Sequence, residues 1–150
     1  MRKDERHRML LSAIKSVGDS ILYESTPSND ECYNEFMDKY VTQVTGVVTF
    51  DSSTGGIILR TGQTSAVGFR LTNEQLSKYQ SLKIVVSNDY SSQYALCSIS
   101  GFGEGDFTYL VEVGEDKEVV LPIKNDQMNF ISISNYQAST TVRIVSIKLE

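Results

Sequence analysis

The sequence predicts a mainly β protein, a sandwich of about eight to nine antiparallel strands preceded by an N-terminal helical segment. Two observations carry this. From Gly46 onward apolar residues recur with period two and turn residues arrive every 8–14 positions, the spacing of an all-β sandwich or barrel. Before Gly46 apolar residues recur instead at spacings of three and four, the helical period. The chain of 150 residues is long enough to bury roughly 70% of the surface its unfolded form exposes, so a core needs neither disulfide nor metal.

The leader comes first. Leu10, Ile14, Val17 and Ile21 form one apolar stripe, which Leu11 and Leu22 widen and Gly18 weakens. Pro27 interrupts it. Ser28 and Glu31 then have the spacing of a capping box, so a second helix is expected from there. Its apolar face is Tyr33, Phe36, Met37, Tyr40, Val41 and Val44, with Glu31, Glu35, Asp38 and Lys39 on the wet side. The expected division is therefore residues 1–45 as a helical anchoring and oligomerisation segment and residues 46–150 as the sandwich.

The strands are read as Val47 to Phe50, Ile57 to Arg60, Ala66 to Leu71, Leu82 to Ser87, Tyr94 to Ser100, Phe107 to Val113, Val119 to Ile123, Met128 to Ser134 and Thr141 to Leu149. Alternation is clearest in Val67, Phe69 and Leu71 and in Leu82, Ile84 and Val86, faces that must meet a second sheet. Thr72 to Gln75 is another capping box, so one or two helical turns through Tyr79 should carry the chain between sheets. The connectors at 51–56, 88–92, 101–105 and 114–117 are polar and rich in turn residues.

The order Ala66 to Leu71, crossover, Leu82 to Ser87, then Phe130 to Tyr136 and Thr141 to Leu149, resembles the jelly-roll sandwiches of carbohydrate-binding modules and galactose-binding-like domains. That resemblance spans about two thirds of the chain and implies a non-catalytic binding or assembly module. The helical leader, the absence of Trp and the absence of a secretion signal depart from it. A helical leader ahead of a jelly-roll head is similar in layout to small bacteriophage structural proteins such as head fibres, decoration proteins or tail components. The expectation is a non-enzymatic virion protein, made in the cytoplasm, whose leader anchors it to a capsid or tail. Its partners would be other virion proteins and itself, as a trimer. The alternatives are a carbohydrate-binding module for a surface glycan and an intracellular adaptor.

Composition excludes several classes. The formal charge of -5, shared between both segments, gives no basic patch for nucleic-acid phosphates. No apolar run approaches the ~18 residues of a membrane span. His7 is the only histidine and sits between Arg6 and Arg8, which leaves no base for nucleophilic catalysis. Cys32 and Cys97 lie in unlike contexts and read as free thiols.

The remaining candidates are binding residues. Sugar recognition stacks an aromatic ring on the apolar face of a pyranose, and Tyr90, Tyr94, Phe102 and Tyr136 lie in or beside expected loops. Asp51, Glu104 and Asp106 offer loop carboxylates for a structural calcium, since that hard cation takes oxygen ligands. Anchoring or self-association falls to Leu10, Ile14, Val17 and Ile21 and to the face of Tyr33, Phe36, Met37 and Tyr40, the face an adaptor would also use.

Overall fold

A computed structural model describes residues 20–88, 95–102, 107–124, 129–135 and 140–150. Eleven strands form two antiparallel sheets. They are β1 (Ile21–Glu24), β2 (Val41–Thr45), β3 (Val48–Phe50), β4 (Ile57–Leu59), β5 (Ala66–Phe69), β6 (Ser81–Ser87), β7 (Ala95–Gly101), β8 (Phe107–Val111), β9 (Asp116–Pro122), β10 (Ile131–Asn135) and β11 (Val142–Leu149). Two helices accompany them, α1 (Glu31–Lys39) and α2 (Asn73–Lys78). The first sheet runs β3-β4-β11-β6-β9, with β1 also on β11, and the second runs β2-β5-β10-β7-β8. The architecture is that of a jelly-roll β-sandwich, as the period-two pattern implied.

The nine strands expected after Gly46 are all present, with ends shifted by a few residues. The two further strands come from the segment read as helical. Ile21–Glu24 pairs with Lys148 to Ser146 of β11, continuing the edge that β4 occupies along Val142 to Ile144. Val41–Thr45 pairs with β5, opposite Phe69 to Ala66. Residues 21–45 are thus built into the sandwich, and the expected boundary after residue 45 falls between two of its strands. Strand wins at these positions because an adjacent sheet edge supplies backbone partners that a four- or five-residue helix could not supply for itself. Leu10, Ile14 and Val17 lie outside the described residues.

The expected capping box at Ser28 is also replaced. Ser28 adopts φ 62 in a turn, α1 starts at Glu31, and its first N–H donates to Asn29 Oδ1 at 3.0 Å. The box at Thr72 forms in full: Gln75 N–H donates to Thr72 Oγ1 at 3.2 Å, and Thr72 N–H to Gln75 Oε1 at 2.9 Å. Gln75 is buried, and its Nε2 donates to Tyr40 Oη at 3.0 Å, tying α2 to the end of α1.

Between the sheets lie Val67, Phe69, Cys97, Ile99, Ile131 and Ile133 from one side and Leu82, Ile84, Val86, Ile144 and Ile147 from the other, all buried. Helix α1 closes one end of this core. Phe36, with 0% exposure, sits 5.8 Å from the Tyr23 ring of β1 and 5.5 Å from the Phe69 ring of β5, bridging the sheets. Tyr40 is 6.2 Å away on the same helix face, and Tyr33 packs at 5.5 Å from Phe50 of β3. Tyr23 is fully buried and its hydroxyl donates to the Gly55 carbonyl, locking the β3–β4 turn onto β1. Burial raises the Tyr23 phenol well above its ordinary value.

Candidate functional site

The two sheets present unlike outer faces, and the pairing register decides what each carries. On the first sheet, Lys83 of β6 lies 2.5 Å from Glu150 and 3.8 Å from Glu118 of β9, while Lys148 of β11 lies 3.1 Å from Glu24. Long paired side chains of this kind are a solvated surface, worth little in stability and poorly shaped to admit a ligand.

The outer face of the second sheet is rich in small hydroxyl-bearing residues, with Leu96 and Leu110 paired toward its β8 edge. Register places Gln43, Gly68, Ser132 and Ser100 in one row, and Thr45, Ala66, Ser134, Ser98 and Thr108 in the next. Alternation explains the choice on the three central strands, where these residues flank the inward Val67, Phe69, Cys97, Ile99, Ile131 and Ile133. The four serines are partly exposed. With strands ~4.8 Å apart, a row across five strands is roughly 19 Å wide, an extent suited to a chain of several sugar units. Each hydroxyl can donate and accept, the requirement for polyol recognition.

One aromatic side chain stands on this shelf. Phe130 precedes β10 and projects to the outer face, where the tip of its ring fills the space above Gly68: a Cβ there would lie 2.4 Å from Phe130 Cζ. The ring is partly exposed. Its backbone is fixed on both sides. Asn129 Nδ2 donates to the Leu71 carbonyl at 2.6 Å and its Oδ1 accepts from Leu71 N–H at 3.0 Å, extending the β10–β5 ladder through a side chain. Phe102 N–H donates to the Phe130 carbonyl at 3.3 Å. Arg70, opposite in the register, holds its guanidinium carbon 5.7 Å from the Phe130 ring centroid and donates from Nη1 to the Asn129 carbonyl at 3.4 Å. The result is a fixed ring with a cation over it on a hydroxyl-rich face.

The residues nominated from sequence fare differently. Phe102 is 1% exposed, because a φ of 57 just after Gly101 turns its ring into the core, so it offers no stacking surface. Tyr90, Tyr94 and Tyr136 lie outside the described residues, as do Glu104 and Asp106. Asp51 closes the β3–β4 turn, Oδ1 accepting from Ser53 Oγ at 2.8 Å and Oδ2 from Thr54 Oγ1 at 2.7 Å. Among the described residues no group of three or more His, Cys, Asp or Glu side chains is placed to hold a metal. In the anchoring set, Phe36 and Tyr40 are buried in the sandwich, Ile21 is in a paired strand, and Tyr33 and Met37 are partly buried against the same core. Cys32 and Cys97 are free thiols as expected, and burial pushes the Cys97 thiol up to about 12. Phe130 and Arg70 were not singled out from sequence. The signal that could have found them is the Gly68 in an otherwise apolar strand, a mark of close approach by another group.

No family model and no curated protein matches the chain. Solved structures do. A point variant of a family 29 carbohydrate-binding module has a TM-score of 0.54 at 13% identity, covering 87% of this chain and 90% of that one. A second family 29 variant, complexed with mannohexaose, has a TM-score of 0.51 at 12% identity, covering 85% and 87%. At such identity the likeness is one of fold, a two-sheet β-sandwich spanning most of both chains.

Proposed function

We propose that this chain is a non-catalytic carbohydrate-binding module that takes a polysaccharide on the outer face of the second sheet. The observation that carries the reading is the contrast between the faces. One carries the paired charges of Lys83 and Lys148, whereas the other sets Thr45, Ser98, Ser100, Thr108, Ser132 and Ser134 around a fixed, partly exposed Phe130. Sugar binding calls for that combination, an aromatic surface for the C–H face of a pyranose and hydroxyls for its edge. The fold likeness to carbohydrate-binding modules, one of them holding mannohexaose, supports the same assignment.

The virion-anchor reading draws first on the stripe Leu10, Ile14 and Val17, which lies outside the described residues, and shares with the adaptor reading an exposed apolar face on the second helix. Phe36 and Tyr40, the largest contributors to that face with Tyr33, are engaged in the core, which leaves α1 little to offer a partner. The favoured reading is tested by titrating the protein against a panel of soluble oligosaccharides, neutral and acidic. Saturable binding is expected, weakened at least tenfold by Phe130→Ala with the fold intact by circular dichroism. Absence of binding to every glycan at millimolar concentration would refute it.

A further inference from the structure

Arg70 has a feature the sugar-binding reading does not by itself use. Three other described cations on the strands are engaged: Lys83 and Lys148 meet carboxylates, and Arg143 Nε donates to Ser87 Oγ at 2.7 Å. Arg70 is exposed, and among the described residues no carboxylate pairs with it. Among the described residues the side chain makes one long hydrogen bond, from Nη1 to the Asn129 carbonyl, which orients the guanidinium and uses one donor of its five-donor fork. It is further held over the Phe130 ring, and its backbone N–H donates to the Tyr40 carbonyl at 3.2 Å. A charged group restrained at its root and its tip, next to an aromatic surface, is prepared for an anion that arrives together with a ring.

We infer that Arg70 makes the site selective for acidic sugars, its guanidinium receiving the carboxylate of a uronic acid unit whose ring lies on Phe130. The inference rests on the carbohydrate-binding reading. A carboxylate attached directly to a pyranose is a flat, two-oxygen acceptor that matches the guanidinium fork bidentately, which a hydroxymethyl group cannot do. The formal charge of -5 repels a polyanion at long range, so selectivity comes from this short contact and not from a general field.

The test compares oligouronates with the same oligosaccharides after carboxyl reduction, by calorimetric titration of the full chain. The acidic form should bind at least tenfold more tightly. Arg70→Gln should abolish that difference, so that the acidic and reduced forms bind the variant equally, and Arg70→Lys, which keeps the charge but not the fork, should restore only part of it. Equal binding of acidic and reduced forms by the native protein would overturn the acidic-sugar inference alone. An unchanged preference in Arg70→Gln would overturn it as well. Binding of neither form, nor of any other glycan, would overturn it together with the reading it rests on.

Discussion

Replacing Phe36 by Ala removes a ring with no solvent exposure that touches both sheets. Truncating a buried Phe costs about 3–5 kcal/mol through lost transfer energy and the cavity left behind. The upper half of that range applies here. The ring has aromatic neighbours at 5.5, 5.8 and 6.2 Å, and each such pair is worth about 0.5–1.5 kcal/mol beyond burial. The neighbours also belong to a strand of each sheet and to the end of α1, so the cavity cannot close by moving one element. Against a total stability of about 5–15 kcal/mol, the loss is a large fraction. For a domain of this size it corresponds to a fall in melting temperature of roughly 8–20 °C. Urea unfolding followed by circular dichroism measures it, with Met37→Ala, a partly buried neighbour on the same helix, as the smaller-effect control. A loss below about 1 kcal/mol would refute the claim that α1 is integral to the sandwich and would return the helix to the role of a separable handle.

Gly55→Ala should destabilise by more than about 2 kcal/mol, because the residue has φ 78 and an added Cβ would lie 2.3 Å from Thr26 N; a melting temperature within a degree of the native value would contradict this. Stability should also fall above pH 9. The Cys97 thiol has an ordinary value of 9.0 and is raised to about 12 by burial, so between these the unfolded chain has lost a proton that the folded chain retains. Fewer protons on the unfolded state give a negative slope, up to about 1.4 kcal/mol per pH unit. This contribution is complete below pH 9 and is lost as pH rises toward 12; the buried Tyr23 phenol, also raised, adds a second loss at higher pH. Urea midpoints measured from pH 7 to 10.5 should show a shallower decline in Cys97→Ala, and parallel curves would show that the thiol is not responsible.

How much of this was legible in the sequence follows from the range of the interactions involved. Val67, Phe69, Leu82, Ile84 and Val86 alternate strictly, so their strands and inward faces could be read locally, as could the Thr72 capping box, whose partners are three residues apart. Ile21–Glu24 and Val41–Thr45 could not. Their apolar residues fit a helical stripe as well as a strand, and the choice was made by β11 and β5, more than a hundred and about twenty residues away respectively. The site follows the same rule. Phe102 has the sequence context of an exposed loop aromatic and is in the core, while Phe130 borders an apolar strand and stands on the surface.

The sequence by itself therefore determined a two-sheet sandwich, its α2 crossover, two free thiols and a chain without clustered positive charge. Only the tertiary structure decided that residues 21–45 complete that sandwich and that Phe130 and Arg70 meet above Gly68. The reason is physical: periodicity records which face of a segment is buried, whereas the identity of the neighbour is set by cross-strand register, a property of pairs of segments that neither one encodes alone.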